Sequence, residues 1–249
     1  MRAAEYPSRI ALADALEIVR ARCAAHRMAD ERVELAGAHR RVLADDVRAR
    51  HDLPPFANSA MDGFALRGVD LPAEGERAFA LVGEVFAGAA SAPEIREGQC
   101  ARITTGAPIP PGADSVVIKE NVRVEGDRVF VRAGERTGAN LRAAGEDFAA
   151  GDLALEAGTR LHAAQLGVLA ALGFADVAVR REPRAAVIVT GDELVPAGQP
   201  LGFGQIHESN GLMLAALLRD AGVQVVSQAR VRDEPELLRE ALLEAAAQA

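Results

Sequence analysis

The chain has 249 residues, a net charge of −8 and a pI of about 5.2, with no Trp and one Tyr. That acidic, aromatic-poor and Lys-poor balance excludes a nucleic-acid groove, which needs basic stripes and stacking platforms. No apolar run reaches the ~18 residues of a membrane-spanning helix.

At the N-terminus, Glu5 and Asp14 interrupt the apolar residues, so the segment reads as a helix over residues 1–25 rather than as a signal peptide. Ser8 precedes it, and Ile10, Leu12, Ala13, Leu16, Val19 and Ala24 recur at helical spacing. The expected amphipathic helix packs its apolar stripe on the linker domain or the α/β domain later in the chain. Beyond it the helical period is lost, and Val33/Leu35 and Val42/Leu43/Val47 read as short strands. Residues 26–50 and 146–181 read together as a mixed linker domain.

Residues 51–145 read as a β-rich domain. β-Branched runs bounded by Gly and Pro fill it, and "VRVEGDRVFV" predicts a hairpin closed by Glu125-Gly126-Asp127. In the linker, a helix is expected from about Ala163 to Leu172, stopped by Gly173, and then the strand "DVAVRR". From residue 182 to 249 the pattern becomes β-α-β-α. "AAVIVT" and "VQVVSQ" read as buried parallel strands. Ser209 or Asn210 caps the first helix and Gly222 ends it, and Asp233 with Glu236 has capping-box spacing before the second. Cys23 and Cys100 lie far apart and read as reduced thiols of a cytoplasmic protein.

Five loop positions could carry chemistry: Asp62 in "MDG", Thr105 in "TTGAPIPPGAD", Asp147 in "GED", Glu193 in "TGDEL" and Asp233 in "RDEP". Each has a plain reading beside the functional one. An Asp-Gly pair is ordinarily a turn in which Gly takes the positive φ. Asp233 is ordinarily a helix cap, and Lys119, beyond the proline-rich loop, a surface lysine. Glu193 and Asp233 both follow the carboxyl ends of the expected parallel strands, where ligands of open α/β sheets gather. Two carboxylates ~4 Å apart repel by about 4 kcal/mol at an effective dielectric of 20. A divalent cation such as Mg²⁺ relieves that repulsion, and so does pairing with Arg230 or Arg232.

In order and approximate spacing, "PPFANSAMDGFALR", "RITTGAPIPPGADSVVIKEN", "NLRAAGEDFAAGD", "RREPRAAVIVTGDELVPAGQPLGFGQIHESN" and "VRDEP" resemble the molybdopterin molybdenumtransferase family, which includes the C-terminal domain of gephyrin. The resemblance implies an elongated, multi-domain α/β and β fold whose 182–249 segment is an incomplete molybdopterin-binding domain. It implies insertion of molybdenum from molybdate into adenylylated molybdopterin with Mg²⁺. A homodimer is implied, and the molybdopterin adenylyltransferase as a partner. It carries catalytic roles onto Asp62, Thr105, Asp147, Glu193 and Asp233, cofactor binding onto Ser59, Gly106 and Gly191, and metal binding onto Glu193 and Asp233. Phe64 stands where the family usually has Tyr. The family's third strand, glycine/serine-rich loop and C-terminal β-domain have no counterpart in these residues, so a fragment of a longer enzyme is expected. The alternative is a catalytically inactive scaffold or molybdopterin-binding module.

Overall fold

A computed structural model describes residues 10–24 and 27–249. Of the expected N-terminal helix, α1 (Leu12–Ala24) is present; residues 1–9, with the Ser8 boundary, and 25 lie outside the described residues. No residue of α1 is buried, and Leu12, Leu16, Ile18 and Val19 are all exposed. Its apolar stripe is therefore uncovered, in contrast to the packed helix the sequence suggests.

The strands follow as β1 (Asp30–Glu34), β2 (Val47–Arg48), β3 (Asn58–Ser59), β4 (Gly63–Leu66), β5 (Glu76–Val85) and β6 (Gln99–Ile103). Next come β7 (Ser115–Ile118), β8 (Val122–Glu125), β9 (Arg128–Arg132), β10 (Leu141–Arg142) and β11 (Leu153–Leu155), then α2 (Ala163–Ala171) and β12 (Asp176–Arg180). The last part contains β13 (Arg184–Thr190), β14 (Leu194–Val195), β15 (Ile206–His207), α3 (Asn210–Asp220), β16 (Gln224–Val231) and α4 (Pro235–Gln248). Two compact units result. One is Asp46–Glu156 with Gly167–Phe174; the other takes in the segment up to Asp45, Ala157–Leu166 and Ala175–Ala249. The stretches read as a linker from the sequence are divided between them.

The first unit is built on a six-stranded sheet in the order β7-β4-β6-β5-β9-β8. Strand β4, second in this order, pairs antiparallel with both β6 and β7, and all four of its residues are buried. The period of two sorts its side chains between two cores. Phe64 and Leu66 join Phe79, Cys100, Val117, Val129 and Val131, whereas Ala65 joins Val85, Ile95, Ala101, Ile103 and Val116. Fully burying a side chain such as Phe79 or Leu66 stabilises the fold by about 1.5–3 kcal/mol. The expected hairpin is β8–β9. Glu125 pairs with Arg128, so the loop is Gly126-Asp127, with Gly126 at φ 61°. After α2, the Gly173 N–H bonds the Ala170 carbonyl and the Phe174 N–H the Leu169 carbonyl, the glycine-ended stop the sequence predicts.

In the second unit β1 pairs antiparallel with β12, from Asp30 opposite Arg180 to Glu34 opposite Asp176. β13 and β16 run parallel, and α3 and α4 contact both. Three expectations need correction here. The parallel strands are not buried: Val187 is the one buried residue of β13, and β16 has none. Two strands, the whole of this sheet among the described residues, leave each strand with an unpaired edge. Ser209 is the N-cap residue of α3, as expected, but its side chain makes no cap bond; Glu208 supplies one instead, its Oε1 accepting the Gly211 N–H at 2.6 Å. Finally, α4 starts from Glu234 with Pro235 in its first turn and no side-chain cap, so Asp233 is not held as a capping residue.

Candidate functional site

Asp62 immediately precedes the buried strand β4. The Asp-Gly pair is not a turn with a positive-φ glycine, as a lone Asp-Gly suggests. Gly63 is a paired strand residue, and a Cβ there would lie 2.1 Å from the Val117 carbonyl oxygen. Glycine is thus required by the close approach of β7, and that approach puts Asp62 beside the residue following β7. The Lys119 N–H bonds the Asp62 carbonyl at 3.1 Å, and Lys119 Nζ lies 3.4 Å from Asp62 Oδ2.

The other carboxylate oxygen is taken by the proline-rich loop. Asp62 Oδ1 accepts the Thr105 N–H at 2.9 Å and the Thr105 hydroxyl at 3.0 Å. The Thr105 backbone donor first, then its hydroxyl and then Lys119 hold the Asp62 carboxyl below the usual carboxylate range. Both Thr105 donors are thereby committed to Asp62 and do not face an oxyanion. Asp62 is a fixed anion that organises its neighbours, with no proton to donate.

Ser59 and Gly106 hold this loop in place. The Gly106 N–H bonds the Ser59 carbonyl at 2.8 Å, and the Ser59 N–H bonds the Ala107 carbonyl at 3.0 Å. The Ser59 hydroxyl is fully buried and donates to the Met61 carbonyl at 2.6 Å. It closes a local turn before Asp62 rather than reaching outward. Beside Asp62 is a cavity of about 290 Å³ with Phe64, Leu81 and Ile103 among its apolar lining. Its charged lining comprises Asp62 with Lys119 and Glu84 with Arg102, the second pair 3.4 Å apart.

Asp147 belongs to the same unit. Arg142 Nη2 donates to both of its oxygens, at 3.0 and 2.9 Å, and Arg142 lies opposite Asn58 in the β3–β10 pairing. The structure therefore brings Ser59, Asp62, Thr105 and Gly106 into one cluster and puts Asp147 on the segment paired with β3.

Gly191, Glu193 and Asp233 lie in the second unit, past the carboxyl ends of β13 and β16. The Gly191 N–H bonds the Val231 carbonyl at 3.2 Å and so extends the parallel ladder by one residue. A cavity of about 340 Å³ opens there, with Gly191, Asp192, Arg230 and Arg232 in its wall. Arg232 lies 3.1 Å from Asp192 and 3.1 Å from Glu234, and Asp192 in particular pushes the guanidinium further up. Arg230 bonds the Leu194 carbonyl. The arginines are thus occupied by neighbours other than Glu193 and Asp233. Both of these carboxylates are exposed and have no hydrogen bond or ion pair to the protein among the described residues.

Among the described residues no group of three or more His, Cys, Asp or Glu side chains could hold a metal ion. Neither Glu193 nor Asp233 is among the residues lining the cavity at Gly191; as residue types, carboxylates suit Mg²⁺, which takes one or two of them and completes its shell with water and substrate oxygens.

Lys119 and Arg142 are the residues that sequence reading undervalued. Arg142 had a local signal, five positions before Asp147. The placement of Lys119 depends on the β4–β7 register, in which Gly63 faces Ile118, and no local pattern carries that.

The family model described as MoeA N-terminal region (domain I and II) matches residues 10–173, and that of the probable molybdopterin binding domain matches residues 186–249. A molybdopterin molybdenumtransferase of Nostoc sp. is 40% identical over 222 residues, covering 88% of this chain and 51% of that protein. Molybdopterin molybdenumtransferase 2 of Mycobacterium tuberculosis is 41% identical over 205 residues, covering 81% and 51%. The crystal structure of a molybdopterin biosynthesis moeA protein from Pyrococcus horikoshii superposes with a TM-score of 0.79 at 32% identity, over 89% of this chain and 60% of that one. The chain spans about half the length of the curated relatives it matches. With the two consecutive domain matches and the structural likeness in agreement, the chain belongs to the MoeA family of molybdopterin molybdenumtransferases.

Proposed function

We propose that this chain supplies about half of the insertion machinery that transfers molybdenum from molybdate to adenylylated molybdopterin in molybdenum cofactor biosynthesis. One observation carries the reading. Among the described residues two carboxylates without protein partners, Glu193 and Asp233, follow the carboxyl ends of the parallel strands β13 and β16, near Arg232. That is where an open α/β sheet receives a phosphorylated ligand.

In this reading Arg230 and Arg232 face the anionic substrate and Glu193 with Asp233 hold Mg²⁺. When bound, Mg²⁺ neutralises the phosphate oxygens and polarises them toward cleavage. Asp62 keeps Thr105 and Lys119 in position, and Lys119, rather than Thr105, offers N–H donors to molybdate. Asp147, neutralised by Arg142, orients its loop. Gly191 lets the backbone turn at φ 153°, where a Cβ would meet Glu193 Oε2 at 2.6 Å.

The same reading includes a homodimer, supplied with substrate by the molybdopterin adenylyltransferase and working in the cytoplasm. The uncovered apolar stripe of α1 supports a partner surface, and two unpaired cysteines suit a reducing compartment. Nothing specific in the geometry favours the scaffold alternative.

The test is molybdenum incorporation from molybdate, adenylylated molybdopterin and Mg²⁺, using a polypeptide that continues this sequence to the length of its relatives. Glu193→Gln with Asp233→Asn should lower turnover at least ~100-fold and weaken Mg²⁺ binding in a direct titration. Full activity in the double variant would overturn the assignment of these two carboxylates.

A further inference from the structure

The second unit holds another cavity, of about 270 Å³, at the amino-terminal ends of β13 and β16, whereas Gly191, Glu193 and Asp233 follow their carboxyl ends. Five guanidinium groups line it, those of Arg40, Arg41, Arg160, Arg180 and Arg181, against a single lining carboxylate, Glu182. Their partners are few. Arg40 Nη2 donates to the Asp220 carbonyl at 2.6 Å, and Arg160 Nη2 to the Ala221 carbonyl at 3.0 Å, both at the end of α3. Arg180 pairs with Asp30 and donates to the Ala44 carbonyl at 3.0 Å. Arg41 Nη2 bonds Glu31 and the Arg180 carbonyl. Among the described residues Arg181 has only Glu31, at 4.0 Å, and its side chain is 62% exposed. Three carboxylates, Asp30, Glu31 and Glu182, thus pair with three of the five arginines, leaving positive charge in excess.

Two features separate this cavity from an ordinary charged surface. Arg41 Nε is buried with no acceptor, since Glu182 Oε1 stands 3.9 Å away, beyond hydrogen-bond range. Buried N–H donors without partners are rare and costly. Arg40, in addition, holds a left-handed φ of 66°, which non-glycine residues avoid unless their surroundings impose it. The α3 carbonyls at the rim oppose an anion, but Arg40 and Arg160 already cover Asp220 and Ala221.

We propose that this pocket binds a tetrahedral oxyanion of the phosphate class, free or as the terminal phosphate of a nucleotide, with the exposed Arg181 guanidinium as a direct donor and Arg41, whose Nε lacks an acceptor, in its wall. Guanidinium forks match phosphate oxygens in pairs, and a concave site with a buried donor suits a small anion better than an acidic peptide strand. The site is independent of the insertion chemistry proposed above.

The experiment follows the arginine Nε–H resonances of the whole chain by ¹H–¹⁵N spectroscopy. Inorganic phosphate is titrated against chloride at matched ionic strength, with adenosine monophosphate in a parallel arm. The Arg41 Nε–H resonance should move saturably with phosphate and not with chloride. Arg181→Ala should raise the apparent Kd about tenfold, as expected for one lost charge-assisted hydrogen bond. Arg232→Ala, at the other cavity, should leave the titration unchanged. A tighter response to the nucleotide assigns its phosphate as the ligand; an equal or weaker one assigns the free ion. An Arg41 Nε–H that stays in place, or a response abolished by Arg232→Ala, overturns the proposal. Should Arg181→Ala fail to fold, the wild-type resonance alone decides.

Discussion

The six-stranded sheet of the first unit and the parallel pair of the second are made from similar residues and differ in what covers them. In the first, β4 has a paired strand on each side and a core on each face, and Val129, Val131 and Phe79 are fully buried. In the second, β13 and β16 are mostly half-exposed, and Leu212, Met213, Leu214 and Leu217 of α3 face solvent. An apolar run thus determines a strand or a helix locally, but burial depends on which surface lies across from it.

The sharpest way to break this comparison is at Gly63. Alanine there meets the backbone carbonyl of Val117 on the neighbouring strand β7, where no flexible side chain can give way. Gly63→Ala should destabilise the first unit by roughly 4 kcal/mol or more, read as a lost or strongly shifted urea transition. The next test applies one truncation to both regions. Leu66→Ala, in the core, should cost about 2–5 kcal/mol. Leu217→Ala, 57% exposed, should change stability by no more than about 0.5 kcal/mol. A large loss at Leu217 in the isolated chain would show that this face is covered in solution. A smaller effect is chemical. Burial pushes the Cys100 thiol up to about 12, whereas Cys23 lies exposed on α1. The thiolate is the reactive form, so a thiol reagent should modify Cys23 promptly and Cys100 only after denaturation. Equal native rates would mean that the sheet opens readily.

How much the sequence disclosed follows the same division. The β8–β9 hairpin, the glycine-ended α2 and α3, and the parallel β-α-β-α order were legible because turn chemistry and periodicity are local. The loops carrying Asp62, Thr105, Asp147, Glu193 and Asp233 were legible through their resemblance to a family. What each side chain touches was not. Lys119 reaches Asp62 through a strand register, Arg232 takes Asp192 rather than Glu193, and the arginine-lined cavity gathers residues 28 to 222. Strand register and long-range charge pairing are set by the assembled core, and a local pattern cannot carry them. The exposed β13 and β16 make the converse point, since a buried-strand pattern describes a surface suited to cover without supplying the cover.

The smallest predicted effect tests whether Asp62 acts as a fixed anion. Its carboxyl is held below the usual value of 3.8 by Thr105 and Lys119. The folded state therefore binds the Asp62 proton more weakly than the unfolded chain does. The stabilisation this provides is complete above the unfolded value and is lost as pH falls through the lower folded value. Asp62→Asn keeps an acceptor for Thr105 but removes the charge facing Lys119. The difference in urea midpoint between wild type and Asp62→Asn should be constant from about pH 5 to 8 and shrink as pH falls below the usual carboxylate value. Asp62 is exposed and solvent screens the Lys119 charge, so the difference should be small and should diminish further in high salt. A gap that persists undiminished well below the usual carboxylate range would mean that Asp62 contributes through shape alone. Lys119 would then stand as an ordinary surface lysine, without an anion to orient it.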